Sequence, residues 1–196
     1  MVKDKGTEQL IKDTAKKIFF AEGKLHATTQ DIADAAGVNR TLVHYYFRSR
    51  KILFEQVAEE ALEELRQIMS SIFIGKLSFK EKLKKLISVF IDETSALPYR
   101  ELFLITETNR HNQGLEDQVH DTHVKPFLAD IKEEMDKGNI TVMDPRQFMI
   151  NLFSLMAYPL LASTLSKGFM RISDHEYIQM MKQRKQLIFE MIYPNK

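Results

Sequence analysis

Two short amphipathic stretches on either side of one glycine constrain this chain more than any other feature. Between Thr28 and Phe47 it reads TTQDIADAAGVNRTLVHYYF. A threonine at 28 or 29 offers an oxygen to the free amides of a helix start, and Asp31 in the first turn answers the positive end of the helix dipole. Ile32, Ala33 and Ala36 then share one side of two turns, with alanines small enough to admit a close neighbour. Gly37 stands where the helix must stop in a left-handed residue. Asn39 starts a second short helix, Arg40 to Phe47. There Val43 and Phe47 face inward, one turn apart, while Arg40, Thr41 and His44 share the outer side. Two short helices joined by a glycine-containing turn form a helix-turn-helix, whose second helix is expected to lie in a DNA major groove.

The flanking sequence extends the pattern. From Thr7 to Glu22 an apolar stripe of Leu10, Ile11, Ala15, Ile18 and Phe19 predicts a helix that Gly23 ends. After Phe47, Ser49 caps a long helix to roughly Ser70, with Arg50 and Lys51 in its first turn. Cations there oppose the helix dipole, a conflict that a nearby phosphate would offset.

Over residues 7–55 the chain resembles the TetR family of bacterial transcriptional regulators. The residues that carry the resemblance are Ile18, Phe19 and Gly23, then Thr28, Thr29, Ile32, Ala33, Ala36, Gly37 and Val38, and the run Thr41 to Phe47. Leu42 stands where the family commonly has a phosphate-binding threonine, and His44 where it commonly has tyrosine. The resemblance implies DNA contacts at Thr29, Gln30, Arg40, Thr41, His44, Tyr45, Tyr46 and Arg50. Arg40 is the expected base reader, because its fork can bind guanine O6 and N7 together. His44 and the tyrosines are expected on phosphates or sugars, a place in the core being the alternative for Tyr45 or Tyr46.

Charge is distributed in keeping with this. Residues 1–51 hold ten Lys/Arg against six Asp/Glu, and the remainder 18 against 21. A basic N-terminal unit on a mildly acidic body suits one part that meets phosphates and another that does not. Cysteine is absent, which excludes disulfides and thiolate metal sites. No apolar run approaches a membrane span, and Met1 leads into a polar segment, so a cytoplasmic location without membrane contact is expected.

Beyond residue 70 the helical pattern continues. Residues 71–78 connect, and Ser78 caps a helix that Leu97-Pro98 breaks. A short helix near Tyr99–Asn109 follows, and then a polar loop. Next comes a helix from about Leu115 to Lys137, bent or divided at Pro126 and stopped by Gly138. Asp144-Pro145 starts a helix to about Lys167 that is apolar nearly all round and kinked by Pro159. Ser173-Asp174 starts the last helix. The expectation is an all-α chain of about nine helices. Residues 1–51 would form a three-helix helix-turn-helix domain, and residues 52–196 a helical ligand-binding and dimerisation domain.

The family resemblance implies a homodimer on a palindromic operator, usually a repressor, released by a small molecule. Its pairing helices would be those at about 145–167 and 173–193, with Met181 and Ile188 between the copies. An apolar or amphipathic effector is expected near Tyr99, Phe103, Glu107, Asn109, His111, Met156 and Tyr158, as a mostly apolar pocket with a few polar groups. Pro159 adds a free carbonyl and a bend to that region. His120 and His123, three apart on a predicted helix, read as solvated, and neither metal nor cofactor is expected. HExxH, GxSxG and phosphate-cradling glycine loops are all missing, so no enzyme is expected. Two other readings stay open: a helix-turn-helix protein without a small-molecule ligand, and a helical-bundle enzyme.

Overall fold

The computed structural model describes residues 5–103 and 124–194; among these the chain is helical, with no strand. It divides into two compact units. One runs to Gln67 and adds the segment from Ala96; the other is built from Ile68–Ser95 and the C-terminal helices.

In the first unit α1 (Lys5–Lys16) passes into a π-turn at Lys17–Ala21, closed by Glu22 N donating to Lys17 O at 3.0 Å. The regular helix expected up to Glu22 is therefore wound wider in its last turn. The cause is local: Ile18, Phe19 and Phe20 are all buried, and a π-turn brings three consecutive apolar side chains inward. Gly23 ends the turn at φ +72°. A Cβ there would lie 2.6 Å from the Tyr99 ring, so glycine is required by space as well as by backbone angle.

α2 (Thr29–Ala36), α3 (Arg40–Phe47) and the N-terminal part of α4 (Arg50–Ile74) complete this unit's core. They enclose Ile32, Ala33, Val43, Phe47, Leu53 and Val57 together with Ile11, Ala15 and Phe19. Residues 98–103, helical and here called α6, bring Phe103 onto Phe20 and Phe54, with ring centroids 5.7 and 5.1 Å away. Lys12–Glu60 and Lys16–Glu64 ion pairs tie α1 to α4.

α4 runs past its expected end near Ser70. Ser71 turns its hydroxyl back to Ile68 O at 2.7 Å, and Ile72 and Phe73 are buried in the second unit, so packing carries the helix onward. That unit's core joins them to Leu83, Leu86, Ile87 and Phe90 of α5 (Phe79–Ala96) and to Phe127 and Ile131 of α7 (Val124–Asp136). The C-terminal helices add Phe148, Leu152, Met156, Ile188 and Phe189. Ser78 caps α5 in a reciprocal box with Glu81, and Gly138, at φ +76°, follows α7. Pro126 sits in the first turn of α7; the earlier part of the helix expected there lies outside the described residues.

The helix expected from Arg146 to Lys167 is in fact two, α8 (Pro145–Leu161) and α9 (Ser163–Met170), bent by 75°. Pro159 has no N–H for Leu155 O, and the chain leaves the helix at Ala162. The freed Leu155 carbonyl is not left open. Arg184 of α10 (Asp174–Ile192) donates to it through Nε at 3.0 Å and Nη2 at 2.8 Å. The Tyr177 hydroxyl donates to Pro159 O. Helix α10 thus supplies from its side chains what the proline removed. No single described helix is long and apolar enough to cross a membrane; the bent α8–α9 pair passes that test only jointly.

Candidate nucleic-acid interface

α2 is fixed at both ends. The Thr28 hydroxyl accepts from Asp31 N, and the Asp31 carboxylate accepts from Thr28 N at 2.7 Å. Donation to that carboxylate from the Thr28 amide first, and from the Thr28 hydroxyl at 2.8 Å second, holds the Asp31 pKa below the usual carboxylate value. At the other end Gly37 takes φ +66°, its N–H shared between Ala33 O and Asp34 O, and Val38 N returns to Ala33 O at 3.0 Å. The turn between the helices is thereby closed without tertiary help. Asn39 then caps α3, its Oδ1 accepting from Thr41 N at 2.8 Å.

α3 divides cleanly. Val43 and Phe47 are buried, whereas Arg40, Thr41, His44 and Tyr45 are all exposed. The structure brings these four together on the outward side of a helix that is anchored from behind. Tyr46 is half-buried against the unit's core, whereas Tyr45 is exposed and sets its ring edge-on to Tyr46, with centroids 5.2 Å apart.

The other expected contacts are placed differently. Thr29 is buried. Gln30 is exposed and donates to Asp34 at 2.7 Å. Arg50 turns back into the unit, with Nε on Ala27 O at 2.8 Å and Nη2 on Leu25 O. Two neighbouring cations outside the expected set of DNA contacts are exposed, Arg48 and Lys51. Arg48 ends α3 at φ +59°, an unusual angle for a residue with a Cβ, and Lys51 leaves 82% of its side chain in solvent. The signal for both lies in the cation-rich stretch Arg48-Ser49-Arg50-Lys51.

The residues expected around an effector are not gathered in one unit. Tyr99 lies against Gly23 and Phe103 in the aromatic cluster of the first unit. In the second, Met156 is wholly buried in the core and Tyr158 is exposed. Glu107, Asn109 and His111 lie outside the described residues, as do His120 and His123. A cleft of about 540 Å³ opens in the first unit, bordered by Lys24, His26 and Asp31.

The comparisons with known proteins agree with this geometry. Residues 11–57 match the family model described as bacterial regulatory proteins, tetR family. No curated protein matches the chain. Among solved structures, a TetR-like transcriptional regulator from Rhodococcus sp. RHA1 superposes with a TM-score of 0.66 at 14% identity, covering 97% of this chain and 96% of that one. HlyIIR, a hemolysin II transcriptional regulator, gives 0.62 at 16% identity, covering 97% and 98%. At such identities the likeness speaks for the fold. The chain therefore carries the DNA-binding helix-turn-helix of the tetR family on the fold of a TetR-family transcriptional regulator.

Proposed function

We propose that this chain is a cytoplasmic, homodimeric repressor that binds a palindromic operator and releases it when a small molecule binds. The observation that carries the DNA half of this reading is the outward face of α3. Arg40, Thr41, His44 and Tyr45 are exposed on a helix whose caps and buried Val43 and Phe47 fix its direction. Arg40 reads a base edge by its two-pronged donor geometry. Thr41, His44 and Tyr45, with Gln30 and the amides at the start of α2, hold sugars and phosphates. Arg48 and Lys51 extend the cationic border.

Dimerisation is supported by what one chain leaves uncovered. Ile150 and Tyr158 on α8 are exposed, as are Ile178, Met180, Leu187 and Met191 on α10. Met180, Leu187 and Met191 recur at the spacing of one helix face. Ile188, expected at this surface, is 1% exposed and belongs to the chain's own core; the outward positions are its neighbours Leu187 and Met191. A pair of chains would set two copies of α3 about one turn of DNA apart.

Effector response is supported by the family resemblance, and the ligand is expected to be apolar or amphipathic. It needs to favour the DNA-free arrangement by only about 1–3 kcal/mol to change occupancy appreciably. The chain acts by binding and not by catalysis.

Gel shifts on the DNA upstream of its own gene test the reading. A discrete complex that resists excess unrelated duplex is expected. Equal competition by any sequence would refute a specific regulator.

A further inference from the structure

We infer that Arg50 is a positioning residue that holds the loop before α2, and is not a ligand for DNA phosphate. The inference rests on the DNA-binding reading for its consequence, though not for its geometry. Loop 24–27 folds on itself through Leu25 N to Gly23 O at 2.9 Å and Ala27 N to Lys24 O at 3.0 Å. That folding uses the Leu25 and Ala27 amides, while the carbonyls of the same two residues accept from outside the loop. Arg50 donates to both from one fork. Its guanidinium carbon lies 5.6 Å from the centre of the Phe19 ring and 5.3 Å from that of Phe54, within cation–π reach of each.

The side chain thus ties three elements: the π-turn through Phe19, the first turns of α4 through its own backbone and Phe54, and the loop that ends at the Thr28 cap. The unfavourable cation at the start of α4 is answered by two carbonyl oxygens of the protein itself. Because Thr28 directly follows Ala27, fixing that carbonyl fixes where the amides of α2 begin. Through Ile32 and Ala33 it also fixes the base on which α3 stands. Lysine, with one compact ammonium, cannot hold both carbonyls while lying over two rings.

The full chain and its Arg50→Lys and Arg50→Gln variants separate this role from phosphate binding. Hydrogen exchange without DNA should rise about tenfold or more at amides 24–31 in both variants, with α5 and α10 unchanged, as the loop loses charge-assisted hydrogen bonds. Affinity for a selected duplex should fall about tenfold in both at every salt concentration, with the slope of log affinity against log salt unchanged. A phosphate ligand behaves otherwise: Lys restores affinity, and Gln flattens the slope by about 0.9. That pattern overturns the inference whatever exchange shows, and so does wild-type exchange at 24–31 in both variants. If no duplex is bound specifically by the unmodified chain but exchange rises as expected, the regulator reading falls and the role of Arg50 in the loop stands.

Discussion

The outward faces of α3 and of the C-terminal helices are both exposed, and they are chemically opposite. α3 presents Arg40, Thr41, His44 and Tyr45, whereas α8, α9 and α10 present Ile150, Leu165, Phe169, Leu187 and Met191. Phe169 is 88% exposed and Leu165 67%. A polar, cationic face is stable in water until a polyanion displaces its counterions. An apolar face of this extent is instead stabilised by being covered. The contrast teaches that exposure alone is a poor guide to role; the chemistry of the exposed atoms says which kind of surface should come to meet them.

The largest expected effect comes from exchanging an inward for an outward residue on α3. Phe47→Ala should lower the stability of the first unit by about 3–5 kcal/mol in denaturant unfolding and abolish DNA binding with it. Tyr45→Ala should leave stability within about 0.5 kcal/mol while weakening DNA binding. Equal destabilisation by both would erase the two-sided description of α3.

On the apolar face, Leu187→Asp combined with Met191→Asp should give monomers on sedimentation with unchanged helical circular dichroism. Ile188→Asp, one residue away, should lose helicity instead, because it buries a charge in the core. Intact dimers from the double variant would place the covered surface elsewhere.

Smaller effects sharpen the picture. Arg40→Ala should cost about 1–3 kcal/mol of specific affinity and relax preference at one base position. A uniform loss over all sequences would make it a backbone contact. Asn39→Ala should cost about 1 kcal/mol in stability through the lost α3 cap.

Acid offers a test of the second unit alone. Burial works to raise the Glu134 pKa, but hydrogen bonds from Asn139, Lys137 and Tyr193 together hold it below the ordinary 4.5. A depressed folded pKa gives stability that is present above 4.5 and lost as pH falls through the folded value. Glu134→Gln should therefore flatten the acid limb of the stability curve below pH 4.5 and change little of its slope at neutral pH.

What was legible in the sequence was mostly local. The Asn39, Ser49, Ser78, Asp144 and Ser173 caps and the Gly37 and Gly138 stops draw on partners within a few residues and stand where the sequence placed them, and of the two threonines offered for the first cap it is Thr28 that serves. Arg40, Thr41 and His44 on the outer side of α3 followed from the same short-range periodicity, whereas Tyr45 came only from the family resemblance. The rest depended on distant partners. Arg50 meets oxygens 23 and 25 residues back, and Arg184 reaches Leu155 across 29. Neither direction is encoded by spacing along one helix. The extension of α4 to Ile74 and the burial of Thr29 likewise come from packing. Pro159 announced a disturbance, but the chain carried it forward three residues, to Ala162, before turning.

Selection of bound duplexes from a random pool, followed by hydroxyl-radical footprinting of the enriched sequence, tests the central claim most directly. The account predicts an inverted repeat whose two halves are protected about one helical turn, roughly 10 base pairs, apart. With Arg40→Ala, preference at one position in each half should relax. Failure to enrich any sequence, or a lone half-site unaffected by Arg40→Ala, would contradict it.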